Sequence, residues 1–437
     1  MHESPGSETP TTWIAPDDGS GGDRLAWWTL GLGLLLLLAG MIRMGQYHGF
    51  GPRGTDDQYY FAQARSLLID GDLDLHRELS TLTPRPENIN TSTTRPWDDP
   101  TPTGKVPCKY GIGAPLLLLP FLAIGQGLAL LFSPLGASTD GYGMFQYLAW
   151  SIGNLFHAGL ALWLVYRILR SFAAFDRGTA LLACWAAFLT GPLVFQTVFD
   201  PYMAHVPSTA MVCACAALLY VDRRDSPWRF LMAGLVLGLA MAARQSNLVY
   251  GLLFVPRVFA GGRPDFKAVL ASGLGVLVGF LPQLLAWKYL YGSFVSYSYQ
   301  GESLDLWSPH VFENLLGARA GLLIWNPGWA LGLLFFPFSK PRSWGLMASI
   351  LALLWINTAW WCWWWGDTYG GRAYATLFLP VSLGLAVLWK HGQRTWLARS
   401  LVLLLLLVAL SSSLSRWVFM ERTEPAERAA EIWWLLR

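Results

Sequence analysis

The sequence predicts an all-α polytopic membrane protein, a bundle of about 11 transmembrane helices, and three observations carry that expectation. Of its 437 residues, 54% are hydrophobic and only 14% are charged, more apolar length than one soluble core can use. The apolar residues fall in successive runs, several of them about 20 residues long and so able to cross a hydrocarbon core as helices. The basic residues gather in short clusters between those runs, the mark of membrane topology. A net charge of +3 distributed in this way makes no nucleic-acid surface.

Residues 1–24 read as a disordered cytoplasmic tail. They are polar and acidic, and the apolar run that follows is too long for a signal-peptide core. Leu25 to Met44 is the first span. A single transmembrane domain is expected over 25–437, with its first outer loop at 46–111, too long for an ordinary connection between helices. Within that loop, Tyr60, Ala64, Leu67 and Leu68 have the spacing of an amphipathic helix over Asp56 to Asp70. It is expected to lie flat on the membrane surface and to end near Gly71. Thr81 to Thr103 is proline-rich and reads as an irregular loop.

Further apolar runs follow at residues 112–132, 142–166, 178–198, 205–221, 230–244, 247–260, 268–290, 328–339, 344–364, 374–389 and 397–414. The loops holding Arg167, Arg170 and Arg177, then Arg223, Arg224 and Arg229, then Arg257, Arg263 and Lys267, then Lys340 and Arg342, then Lys390 and Arg394 are assigned to the cytoplasm. These clusters alternate only if one segment does not cross. The 112–132 run, which opens Tyr110-Gly111-Ile112-Gly113-Ala114-Pro115, is expected to be re-entrant or interfacial. The Asp56, Asp200, 291–327 and Gly366 to Arg372 loops then share the outer face with a C-terminal segment at 415–437. Internal repeats, the sign of many transporters, are not apparent.

Five cysteines show no metal-ligand spacing. Cys184, Cys213 and Cys215 lie in apolar segments. Cys108 and Cys362 are open to two readings, a disulfide in an oxidising compartment or two unpaired thiols.

The outer loops carry specific polar residues. Asp56 and Asp57 stand just beyond the first span. A carboxylate there can act as general base toward an attacking hydroxyl or amine, or can simply cap a helix. Lys105 and Lys109 suit a phosphate leaving group, or snorkel from a helix end. His205, in Asp200-Pro201-Tyr202-Met203-Ala204-His205, is a phosphate or metal ligand or a packing residue, with Asp200 able to orient it. It has no close His or Cys partner in the sequence. Residues 360–365 hold five tryptophans, as an interfacial belt does. A belt does not account for the Gly366-Asp367-Thr368-Tyr369-Gly370-Gly371-Arg372 that follows, in which glycines admit a ligand and Arg372 can fork onto phosphate oxygens. Arg244, near a helix break, is a second anion contact. Tyr60, Asp200, Tyr202, Trp365 and Asp367 are candidate substrate contacts. Glu302, Asp305 and His310 have no role that spacing alone assigns.

In their order and common face these residues resemble GT-C type glycosyltransferases, and family 39 in particular, which includes protein O-mannosyltransferases and the bacterial lipid A aminoarabinose transferase. The resemblance rests on Asp56-Asp57-x-x-Tyr60-x-x-x-Ala64-Arg65, on Lys105-x-x-x-x-Tyr110, and on Gly238-Leu239-Ala240 to Arg244, and it extends to about residue 390. It departs at Asp57, where relatives commonly have Glu, and in a C-terminal part with no large soluble domain to signal acceptor recognition. The resemblance implies a sugar on a polyprenyl phosphate as donor and inversion at the anomeric carbon. The acceptor, a lipid, glycan or protein, would arrive at the extracytoplasmic face of a bacterial inner membrane, among membrane lipids. Asp56 would be the base, with Asp57 orienting it or binding a divalent metal. Lys105, Lys109, His205, Arg244 and Arg372 would hold the donor phosphate. The competing reading is a transporter or flippase of a lipid-linked or anionic substrate. A non-catalytic scaffold leaves the Asp56 and Arg372 elements unexplained.

Overall fold

The computed structural model describes residues 24–82, 99–221, 226–259, 262–299, 301–339, 344–366 and 369–422, with side chains as far as 415. The expectations for the 1–24 tail (apart from Arg24), most of Thr81 to Thr103, Arg223, Arg224, Lys340, Arg342, Asp367 and the end of the 415–437 segment lie outside the described residues. The described chain is helical, with one isolated bridge between Leu304 and Trp360.

Among the described residues, six helices are long and apolar enough to cross a membrane: Arg24–His48, Gly113–Leu131, Met144–Ser171, Phe266–Tyr291, Arg372–Gly392 and Trp396–Ser415. A seventh candidate is the pair Arg177–Leu189 and Pro192–Val198, bent by 68°. Four shorter apolar helices, His205–Tyr220, Pro227–Ala243, Pro327–Phe338 and Trp344–Thr358, pack among them. Such a set is that of an integral membrane protein.

The 112–132 run is one unbroken helix, Gly113–Leu131, and not a re-entrant turn; its length fits the interfacial alternative as well as a span. Two other segments differ from expectation. The 178–198 run is the bent pair. Its break at Thr190-Gly191-Pro192 follows from Pro192, which has no N–H for the carbonyl four residues back, and from Gly191, where a Cβ would stand 2.0 Å from the Trp329 indole. The 247–260 run forms no long helix: it is a 3₁₀ stretch, Gln245–Leu253, and a single turn, Val255–Val258. The preceding helix ends at Arg244, which is extended (φ −151°, ψ 115°), and the Asn247 side chain reaches back to donate to Ala240 O at 2.7 Å.

The most extensive helix contact joins Pro227–Ala243 to Phe266–Tyr291. Gly234 and Gly238 face Gly275 and Gly279, and a Cβ on any of the four would lie 2.1–2.4 Å from a carbonyl oxygen of the opposite helix. This small-xxx-small stripe lets the backbones touch where no hydrophobic effect separates helix from lipid. The turn before Gly113–Leu131 docks on the same helix: a Cβ on Gly111 would stand 2.1 Å from Ala242 O. The Ile112 amide donates to Gln283 Oε1 at 2.9 Å.

The helix expected over Asp56 to Asp70 is present as Thr55–Arg65 and a π turn, Ser66–Asp70, closed by Gly71 at φ +76°. Most of it is buried, with Phe61 against Tyr147, Trp150 and Tyr202. Arg65 is fully buried. It pairs with Asp70 and Glu78, donates to Asp140 O at 2.9 Å and lies over the Tyr142 ring. The first long loop is thus anchored from within. All five cysteines are free thiols.

Gly238→Val should lower the folding stability of the detergent-solubilised protein by about 1–3 kcal/mol, because the opposing backbone cannot yield. Gly273→Ala, where nothing lies within 4 Å of the added Cβ, should not. Parallel thermal denaturation of the two variants checks this. Equal melting would remove the close contact as a determinant.

Candidate active site

Several chain breaks meet around one cavity of about 510 Å³, lined among others by Asp56, Tyr60, Lys109, Tyr110, His205, Arg244, Glu302, Trp365 and Arg372. Each charged side chain reaches it from the end of an element. Asp56 lies in the first turn of Thr55–Arg65, His205 opens its helix, Arg244 closes one, and Arg372 opens the 3₁₀ turn Arg372–Leu377.

Asp56 is held from two sides. Tyr110 Oη donates to its Oδ1 at 2.5 Å, and Arg372 Nη2 to its Oδ2 at 3.0 Å. Burial and the adjacent carboxylate push the Tyr110 phenol well above its usual range, so it stays a donor. Asp57, next in sequence, points elsewhere. Its carboxylate accepts from the amides of Arg53 (2.7 Å), Gly54 (2.9 Å) and Gln58 (2.8 Å), the office of a helix cap. Burial raises its pKa against the lowering of those three bonds, and Asp56 raises it further.

Among the described residues, Arg244 is the cation of the cavity with no carboxylate partner. Its Nη1 lies 2.6 Å from His205 Nδ1 and 3.3 Å from Nε2, and its guanidinium is 5.9 Å from the Trp365 ring centroid. A guanidinium can only donate, so the facing ring nitrogen is unprotonated. Trp365 adopts φ +57°, a left-handed conformation that a bulky residue rarely holds. Its indole Nε1 is buried and has no partner among the described residues. Lys109, by contrast, is paired with Glu302, whose other oxygen accepts from Trp361 Nε1 at 3.0 Å.

The cavity therefore unites Asp56, Tyr60, Lys109, His205, Arg244, Trp365 and Arg372. It does not receive four other expected residues. Lys105 lies over the Tyr289 ring at 4.5 Å, and Asp57 is a cap. Tyr202 stacks on Trp150 in the aromatic core and donates to Tyr147 O. Asp200 sits in the turn before His205, where burial first and then Asp57 push its carboxyl up to about 7, against Arg372 and Arg53. Glu302 and Tyr299 went without a role in the sequence, although Tyr297-Ser298-Tyr299 followed by Glu302 is a polar aromatic cluster beside a helix end. Tyr110 was legible only as part of a motif.

For a metal, the described carboxylates do not assemble a ligand set: Asp57 is taken up by amides, Glu302 is paired with Lys109, and Asp56 is bonded to Tyr110 and Arg372. No group of three or more His, Cys, Asp or Glu that could hold an ion occurs among the described residues.

No family model matches the chain, and no curated protein matches it. Among solved structures it is similar to the Archaeoglobus fulgidus oligosaccharyltransferase in its apo form, at 14% identity over 91% of this chain and 57% of that one, with a TM-score of 0.49. The archaeal oligosaccharyltransferase AglB of Archaeoglobus fulgidus in complex with an inhibitory peptide and a dolichol-phosphate gives 13% identity, 93% and 56% coverage, and 0.48. The same organism's oligosaccharyltransferase with Zn and sulfate gives 16%, 92% and 53%, and 0.49. The likeness is to a GT-C type membrane glycosyltransferase; family 39 is not represented in it. The chain spans little more than half the length of these proteins. A likeness of this extent leaves the site to be read from its own residues.

A carboxyl whose folded pKa is raised stabilises the protein fully below its unfolded pKa, and that contribution is lost as pH rises through the folded value. For Asp200 the window runs from the ordinary 3.8 to about 7. Melting temperature should fall with rising pH across that window, and Asp200→Asn should flatten the slope. An unchanged slope in the variant would assign the dependence to another group.

Proposed function

We propose that the chain is a glycosyltransferase that moves a sugar from a polyprenyl-phosphate donor to an acceptor hydroxyl or amine, with Asp56 as general base. One observation carries this reading. A carboxylate fixed by Tyr110 and Arg372 shares a cavity with a cation, Arg244, that has no carboxylate partner among the described residues, and with an unpaired indole N–H on Trp365. An unsatisfied buried donor beside an uncompensated cation suits an anion, and a phosphate ester supplies one.

In the proposed reaction the acceptor oxygen or nitrogen attacks the anomeric carbon while Asp56 takes its proton. The bond from that carbon to the phosphate oxygen breaks, and the phosphate leaves with the electron pair. Arg244 and the Trp365 N–H stabilise the growing charge there. His205 holds Arg244 in place, a different part from the phosphate contact expected of it. Attack from the face opposite the phosphate inverts the carbon. Arg372 holds Asp56 in its orientation, and Lys109 reaches an anion only by leaving Glu302. No step is routed through a metal.

A bilayer-embedded donor fits a cavity at the helix ends, and by the basic-loop assignment this end faces the periplasm or cell exterior of a bacterial inner membrane. Lipid, glycan and protein remain the acceptor classes. A transporter calls for ionisable groups along a path through the span. Here the charged lining residues come from element ends and loops.

Asp56→Asn keeps the shape but not the charge. Turnover with purified protein and a polyprenyl-phosphate sugar should fall about 10²- to 10⁴-fold. Near-normal turnover would sink the base assignment. Arg244→Ala should weaken donor binding about 10- to 100-fold, the range for a lost hydrogen bond to a charge. Lys105→Ala should leave it unchanged. The reverse order of effects in a donor-binding titration would move the phosphate site to Lys105.

A further inference from the structure

The connection that follows the Phe266–Tyr291 helix exposes an unusual set of side chains. Trp307 is 97% exposed, Val295 75%, Phe312 70% and Phe294 53%, with Leu304, Leu306 and Val311 also open. Soluble surfaces seldom gather so many large apolar groups, and such a patch marks an interaction site.

Of the acids of this stretch, Glu302 is half-buried and occupied by Lys109 and the Trp361 indole, while Asp305 is exposed and its Oδ1 accepts from the amides of Trp307 and Ser308, both at 3.1 Å. The large side chains that remain outward are apolar and mostly aromatic. Nor is the segment a loose flap. The Asp305 amide donates to Ala359 O at 2.7 Å, His310 N to Thr358 O at 2.8 Å, and Trp361 N to Ser303 O at 3.1 Å. The apolar side chains are held in place against the end of Trp344–Thr358.

The patch continues the exposed apolar face of a helix long enough to cross the membrane. Leu281, Leu285 and Tyr289 are exposed along the last turns of Phe266–Tyr291. Lys288 then bridges to the patch, its ammonium 5.6 Å from the Phe294 ring centroid and bonded to Gly292 O. A lysine beside aromatic rings at the end of a span is the composition of the headgroup zone.

We propose that residues 294–299 and 301–312 lie in the membrane interface, with Phe294, Val295, Trp307 and Phe312 inserted at the boundary of headgroups and acyl chains on the active-site side. Irregular backbone exposed to lipid does not occur within the hydrocarbon, so the segment rests at that boundary and goes no deeper. Tyr297 and Leu304, which are exposed on this segment, also line the cavity. The cavity wall and the membrane contact are therefore the same stretch of chain, and a lipid-borne substrate reaches the cavity along it.

Nitroxide labels at Trp307→Cys and, separately, at Phe312→Cys test this in liposomes, with Cys362→Ser removing the one native thiol that is not buried. Both labelled side chains point outward, so folding is preserved, and gel filtration verifies it. Collisions with oxygen should exceed those with a water-soluble nickel chelate at both positions, at a depth of about 5–10 Å. Nickel exceeding oxygen at either position places the loop in water and overturns the proposal. Exclusion of both reagents at either position, as when a second copy or another protein covers the patch, overturns it equally. The measurement needs no donor or acceptor, so its failure is separate from failure of the transfer assays.

Discussion

The contact on which the site most depends is the glycine-lined approach of Pro227–Ala243 to Phe266–Tyr291. Inside a bilayer there is no hydrophobic gain in bringing helices together, so van der Waals contact and complementary backbone shape decide where they settle. With Gly234, Gly238, Gly275 and Gly279 removing the side chains between them, the two helices fix each other, and Gly111 and Ile112 lock the next segment onto the same post. Arg244 is the residue at which that post stops. Its extended backbone, beyond which Asn247 is tied back to Ala240 O, turns the guanidinium aside from the helix axis and toward His205.

From that post the site is built by contacts between residues far apart in sequence. Arg372 and Asp56 are 316 residues apart, and Lys109 and Glu302 are 193 apart. Such pairs order loops that have few local interactions of their own. Arg65 secures the other end of the first long loop from inside the protein. Removing one partner of a buried pair of this kind costs about 3–5 kcal/mol, because the other charge stays behind without compensation.

Much of the fold was legible in the sequence because lipid imposes a simple rule on apolar length. The Asp56 to Asp70 helix, its Gly71 stop and most of the spans follow from periodicity and run length. The bend at Gly191-Pro192 was visible in principle as a proline after a glycine, but its angle depends on Trp329. The 247–260 run begins beyond a break at the extended Arg244 and winds as a 3₁₀ stretch, with Asn247 tied back to Ala240 O, and composition cannot show that. At the site, residue types and their rough location were legible: Asp56, Arg244, His205 and Arg372 do share a cavity. Which neighbour takes which hydrogen bond was not. Asp56 and Asp57 are adjacent acids with the same chemistry, and only the path of the Arg53-Gly54 backbone separates a site carboxylate from a cap. Lys105 and Lys109 divide similarly, one over Tyr289 and the other against Glu302.

The two aspartates also differ in how much capacity they have left. A carboxylate offers about four lone-pair directions. At Asp57 three are taken by amides, which leaves it close to saturation. At Asp56 only two are taken, one on each oxygen. Each oxygen keeps a vacancy, so a hydroxyl can dock on either without displacing Tyr110 or Arg372. Asp56 can take on a new partner while its existing bonds hold it still.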